Sequence, residues 1–163
     1  METLVVVLIF SMLVAGFYSV ATVGDNSWQS NRVQIELQQD LRKSMEAMVN
    51  DLRQAGSSSI IDVPANGNWY TSITFRIPEG VAAGSIDWTN DTLQLLRAGP
   101  GTLQLQRIYG AQTKIISNNI TSLQFRRLST APNTIEIALQ AQKDTLKGLP
   151  ITYNLNFNVQ LRN

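Results

Sequence analysis

The chain divides by the spacing of its apolar positions. From Thr3 to Val23 there is no charged residue. As a helix this run is about 30 Å long, the hydrocarbon thickness of a bilayer. Its apolar residues cover every face, so it has no solvated side. Such a segment belongs in lipid or among other apolar helices. Gly24-Asp25-Asn26-Ser27 follows, a turn-prone cluster able to break the helix or to cap its second half. Beyond Trp28 the pattern becomes one-sided. Val33, Leu37, Leu41, Met45, Met48, Leu52 and Ala55 recur at spacings of three and four, the mark of an amphipathic helix. Arg32 with Glu36, and Arg42 with Glu46, are i,i+4 pairs on its polar side. Gly56 and three serines make a natural stop.

From Ile60 the period changes to two. Ile73, Phe75 and Ile77 alternate with Ser72, Thr74 and Arg76. The pattern returns at Leu93 and Leu95, at Leu103 and Leu105, at Leu123 and Phe125, and from Ile135 to Ala141. It is cleanest at Ile151, Tyr153, Leu155, Phe157, Val159 and Leu161. Strict alternation predicts strands with one buried and one wet face. Turn signals separate the runs, among them Pro78-Glu79-Gly80, Thr89-Asn90-Asp91, Ser117-Asn118-Asn119 and Lys147-Gly148-Leu149-Pro150. The reading is about eight strands joined by short antiparallel connections.

The fold class expected is therefore α+β: a long N-terminal helix, apolar then amphipathic, packed on an antiparallel β-rich globular head. The divisions are an apolar transmembrane or filament-core helix over 1–23, an amphipathic helix packed on the head over 24–56, and the head over 57–163. The first part needs neighbours from other chains or lipid, whereas the second needs its own head on one side. A membrane anchor followed by a docking helix gives the same pattern.

Charge sharpens this picture at one residue. Glu2 stands at the edge of the apolar run, with no Lys or Arg flanking that end. A cleaved signal peptide would carry a basic segment there, and an orientation signal would be basic as well. A carboxylate in that position is costly unless it stays at the interface or finds a partner, such as a neighbouring chain's terminal amine. The string Met1-Glu2-Thr3-Leu4-Val5-Val6-Val7-Leu8-Ile9 resembles the start of a type IV pilin or a type II secretion pseudopilin. In that family a prepilin peptidase cuts after a Gly, and a single Glu then precedes about twenty apolar residues. The resemblance places the Gly and the mature first residue before Met1. It implies that Glu2 neutralises the amino terminus of the adjacent subunit, and that the helix waits in the bacterial inner membrane before an assembly platform extracts it into a periplasmic or extracellular filament. It further implies that Leu4, Val7, Leu8, Phe10 and Leu13 pack in a shared helix bundle with copies of the chain or homologous pilins. Many major pilins carry a helix-kinking Pro near the end of this run. Here Ser19 stands at about that place, with Gly16 the strong helix-weakening residue nearby, so Gly16, Phe17, Tyr18 and Ser19 form a candidate melting region. The C-terminal disulfide loop of many pilins is absent, because the chain has no Cys. Ser122-Leu123-Gln124-Phe125 and the closing Asn158-Val159-Gln160-Leu161-Arg162-Asn163 are similar to J-type minor pseudopilins.

Composition removes much of the alternative chemistry. The charged fraction is 15%, against about 25% in ordinary soluble domains. Net charge is +1, so no strong field draws nucleic acid. With no Cys and no His, the thiolate and imidazole chemistries are absent. Asp87, Asn90 and Asp91 match no calcium loop and read as a solvated turn. Asn90-Asp91-Thr92 and Asn119-Ile120-Thr121 match the glycosylation triplet and read as surface loops. Trp28, Trp69, Tyr70, Trp88 and Tyr109 could form a sugar-stacking patch, but core and subunit contacts are the commoner use. Ser57-Ser58-Ser59 lacks the Lys or His that activates a nucleophile. No catalytic residue, metal or cofactor is assigned. The expected function is a filament subunit. A minor pseudopilin of a type II secretion pseudopilus is the alternative, and a membrane-anchored binding module that never polymerises is the alternative of another class.

Overall fold

The computed structural model describes residues 2–82 and 84–162, with the side chains of Glu2 and Ala82 also outside the described set. One helix, α1, runs without interruption from Glu2 to Leu52. Gly24-Asp25-Asn26-Ser27 neither breaks nor caps it. The helical backbone satisfies its own donors and acceptors there, and Gln29 Nε2 donates to Asp25 Oδ2 at 2.9 Å.

Among the described residues eight strands follow: β1 Trp69–Tyr70, β2 Ser72–Ala82, β3 Ser85–Ala98, β4 Gln104–Tyr109, β5 Gln112–Ser117, β6 Ile120–Leu128, β7 Ala131–Asp144 and β8 Pro150–Gln160. They form two antiparallel four-stranded sheets, ordered β1-β6-β7-β8 and β2-β3-β4-β5. The molecule is thus one long helix packed on two antiparallel sheets.

Two expected turns lie inside strands. Pro78-Glu79-Gly80 falls within β2 and Thr89-Asn90-Asp91 within β3. Register shifts flank Pro78, between Arg76 and Pro78 and again between Pro78 and Gly80. A proline cannot donate to the ladder, so it is tolerated where it sits, on an edge strand at a bulge. The chain reverses instead near Gly84, whose φ of 81° suits a residue without a Cβ.

The core joins α1 to both sheets. Leu37, Leu41, Met48 and Leu52 from the helix pack with Phe75, Leu93 and Leu105 of one sheet and Phe125, Ile137 and Val159 of the other. Each fully buried side chain of this size contributes about 1.5–3 kcal/mol. Ser44, fully buried, takes the place expected of Met45, which is only half-buried. Leu37 and Met48, Leu41 and Leu52, and the half-buried Val33 and Ser44 are each eleven residues apart. An eleven-residue repeat occupies three turns with almost no drift, so this face stays aligned on the head.

The segment after the helix sews the sheets together. Arg162 N donates to Ala55 O at 2.9 Å, and Ile61 N to Thr74 O at 2.9 Å. Asp62 accepts from Thr74 N and Thr74 Oγ1, at 2.6 and 2.7 Å. Arg127 is buried, and its guanidinium donates to the carbonyl oxygens of Pro132, Val63 and Ser57, with its nearest donor 2.8 Å from Pro132 O. Burial pushes its pKa down.

Candidate functional site

The feature that demands a partner is the first half of α1. Leu4, Val7, Leu8, Phe10 and Leu13 are 73, 65, 55, 67 and 55% exposed. Taking Leu4 as zero and about 100° per residue, Val7 lies near 300°, Leu8 near 40°, Phe10 near 240° and Leu13 near 180°. The five residues therefore surround the axis, and a single two-helix seam cannot cover them. The run is long and apolar enough to cross a membrane, and its most apolar stretch has no residue buried against the head.

Two of its hydroxyls bond within the helix. Ser11 Oγ donates to Leu8 O, and Thr22 Oγ1 to Ser19 O, both at 2.9 Å. Neither hydroxyl then needs water, and the backbone bonds are internal, as an apolar medium requires. Gly16 forms the floor of a shallow dip lined by Met12, Leu13, Phe17 and Val20. A Cβ at Gly16 would meet nothing within 4 Å, so the dip is open to a neighbouring side chain. Gly16, Phe17, Tyr18 and Ser19 are helical and exposed. Glu2 opens the helix, but its side chain lies outside the described residues, as does Met1.

The second half of α1 is fixed to the head by charge as well as packing. Arg107 Nε donates to Asp51 Oδ2 at 2.8 Å, with both side chains largely shielded. Lys143 Nζ, near the end of β7, donates to Glu36 Oε2 at 2.7 Å. That hydrogen bond and the ammonium charge hold the Glu36 pKa below the ordinary carboxylate range, with Arg32 adding to the effect.

The other candidate groups are dispersed. Asp87, Asn90 and Asp91 lie exposed along β3. The aromatics do not converge. Trp28 is on the helix with Arg32 5.8 Å above its ring, Trp69 stacks under Arg126 at 4.4 Å, and Tyr109 under Arg107 at 5.8 Å. Trp88 lies over Gly56 so closely that a Cβ there would fall 2.7 Å from its ring. Ser57–Ser59 is a 3-10 turn, and the buried Ser59 Oγ donates to Gly56 O at 2.9 Å. Asn119 has a φ of 64° and sits in the β5–β6 turn.

Sequence reasoning passed over Ser44 and Arg127. Ser44 could have been found from the eleven-residue repeat. Arg127 carries no local sign, because its carbonyl partners belong to segments distant in sequence or across a turn.

A long apolar N-terminal helix on an antiparallel β head is compatible with a pilin-like architecture. No protein-family model matches the chain, and neither characterised proteins nor solved structures give a match.

Proposed function

We propose that the chain is a structural subunit of a type IV pilus-like filament, held in a membrane before assembly and packed afterwards through the first half of α1. The observation that carries this reading is the pairing of an apolar rod exposed on all sides with a rigid junction to the head. Leu4, Val7, Leu8, Phe10 and Leu13 point in all directions around the axis, so the rod needs either lipid or several neighbours. The helix continues through Gly24–Ser27 into the half that the head grips. A tethered binding module works with a flexible linker, whereas a filament must fix each head relative to its core helix. The unbroken helix suits the second requirement. On this reading Glu2 neutralises the next subunit's amino terminus, and Gly16–Ser19 is the stretch that loosens on packing.

The test is direct. Material sheared from cells and imaged by electron microscopy should contain thin filaments in which this chain is identified by mass. Glu2→Ala should remove them while leaving the membrane pool. Filaments at wild-type level in the variant would overturn the role of Glu2. If the chain stays monomeric in every membrane and sheared fraction, the filament reading itself fails.

A further inference from the structure

The turn between β7 and β8 presents apolar side chains that the head does not use. Thr145 ties the turn at its base. Its backbone N donates to Leu149 O at 2.9 Å, its Oγ1 accepts from Leu149 N at 3.1 Å, and its carbonyl accepts from Gly148 N at 2.9 Å. This closed loop leaves Leu146 90% exposed and Leu149 63% exposed. Leu146 is barer than any large apolar residue of the exposed helix half, where Phe17 reaches 76%. A turn tied in this way displays its leucines by construction.

The position of the turn says what covers them. Leu146 lines a cleft with Trp28, Arg32, Val33 and Lys143, and Trp28 is itself 62% exposed. The Lys143–Glu36 bond fixes β7 against the helix just above. Trp28 stands five residues beyond Val23, or about 7.5 Å along the axis. The headgroup layer is about 5–8 Å thick on each side of the hydrocarbon. With Thr3–Val23 in a bilayer, Trp28 and the turn therefore reach the headgroup layer. Tryptophan favours that level, where its ring is half solvated. The ionic groups around the patch balance: Arg32, Lys143 and Lys147 against Asp25, Glu36 and Asp144. The contact is thus apolar rather than selective for anionic lipid.

We infer that the β7–β8 turn, through Leu146 and Leu149, and Trp28 beside it form a second membrane contact that seats the head on the bilayer interface in one orientation. This rests on the membrane-held stage of the proposed function. It adds which face of the head points down, and a contact that must be released when the subunit leaves the bilayer.

The chain has no Cys, so single cysteines can report position. Full-length Leu146→Cys, Val14→Cys and Ser85→Cys variants would be labelled with a polarity-sensitive fluorophore in phosphatidylcholine vesicles containing shallow or deep nitroxide lipids. Ser85 serves as the distal control, because Trp88 of the same hairpin lies over Gly56, past the far end of the helix. The label at 146 should shift to shorter wavelength and be quenched by shallow nitroxides. The label at 14 should be quenched by deep ones, and that at 85 by neither. An aqueous, unquenched label at 146 beside a deep label at 14 overturns the inference and leaves the membrane stage standing. A label at 14 that no nitroxide reaches overturns both. A shift at 146 that grows with protein-to-lipid ratio but resists both nitroxides means that a second copy covers the turn, which also overturns it.

Discussion

The two halves of α1 share one backbone and differ in what surrounds them. From Leu4 to Val23 the large apolar side chains are all exposed, while from Leu37 to Leu52 one face is buried completely. The second half is stabilised by its own head, through Leu37, Leu41, Met48 and Leu52 and through the Asp51–Arg107 and Glu36–Lys143 pairs. The first half has no such support within the chain. Its side chains gain nothing until lipid or other helices cover them. One rod therefore carries two independent stability problems, one solved by folding and the other by insertion or association. Damage to either half should leave the other intact.

That independence can be broken most strongly in the core. Phe125 of β6 is fully buried in the core of the head, and Phe125→Ala should cost about 3–5 kcal/mol of head stability. Urea unfolding of the full-length protein in detergent would measure it, with the membrane-bound fraction in cells unchanged among molecules that remain folded. Leu13→Arg inverts the experiment. An arginine near the centre of a spanning helix costs about 2.5–3.5 kcal/mol of insertion. The membrane-bound fraction should fall while the urea midpoint of the head stays put, and a shift of that midpoint would show that the halves are coupled. Ser44 gives a smaller and more local effect. Its fully buried hydroxyl donates to Asp40 O at 2.7 Å. Ser44→Leu should destabilise by about 1–3 kcal/mol through overpacking, whereas Ser44→Ala should be nearly neutral. Equal loss in both variants would mean that the hydroxyl, not the tight approach of helix to head, matters.

Much of this division is legible in the chain, for physical reasons. An uncharged run as long as Thr3–Val23 has few places to go, and the alternation from Ile151 to Leu161 admits one pleat. The turns at Pro78 and at Asn90 were misleading because turn propensity is local. The hairpin of β2 and β3 absorbs both as irregularities: the register passes from Arg76–Thr92 to Pro78–Trp88, so Thr89, Asn90 and Asp91 bulge out of β3, and it shifts again between Pro78 and Gly80. The break at Gly24–Ser27 was equally open to sequence, since a single Gly costs a helix only about 1 kcal/mol. Ser44 is not legible by itself, because a serine does not read as core. Within the site, the apolar residues were legible as a set, but not their disposition around an uninterrupted rod. Leu146 was invisible, because one leucine in a Gly-Pro turn has no period to betray it.

The smallest effect tests the contact between the second half of α1 and β7. Glu36 is exposed, and its pKa lies below the ordinary carboxylate value because Lys143 donates to it and stands charged beside it. A carboxyl group whose folded pKa is depressed stabilises the fold above its unfolded value, and this contribution is lost as pH falls through the folded value. The head should therefore lose a small increment of stability on acidification through and below the ordinary carboxylate range. Glu36→Gln should flatten that part of the pH profile, and the two proteins should converge at the acid end. Lys143→Met should flatten it in the same way, because Lys143 is the leading cause of the shift. Added salt should shrink the difference, as the pair is open to solvent. An unchanged acid slope in both variants would mean that β7 is held to the helix by Leu37, Leu41 and their neighbours alone. The charge pair would then set only the lateral position of the β7–β8 turn, with no measurable share in stability.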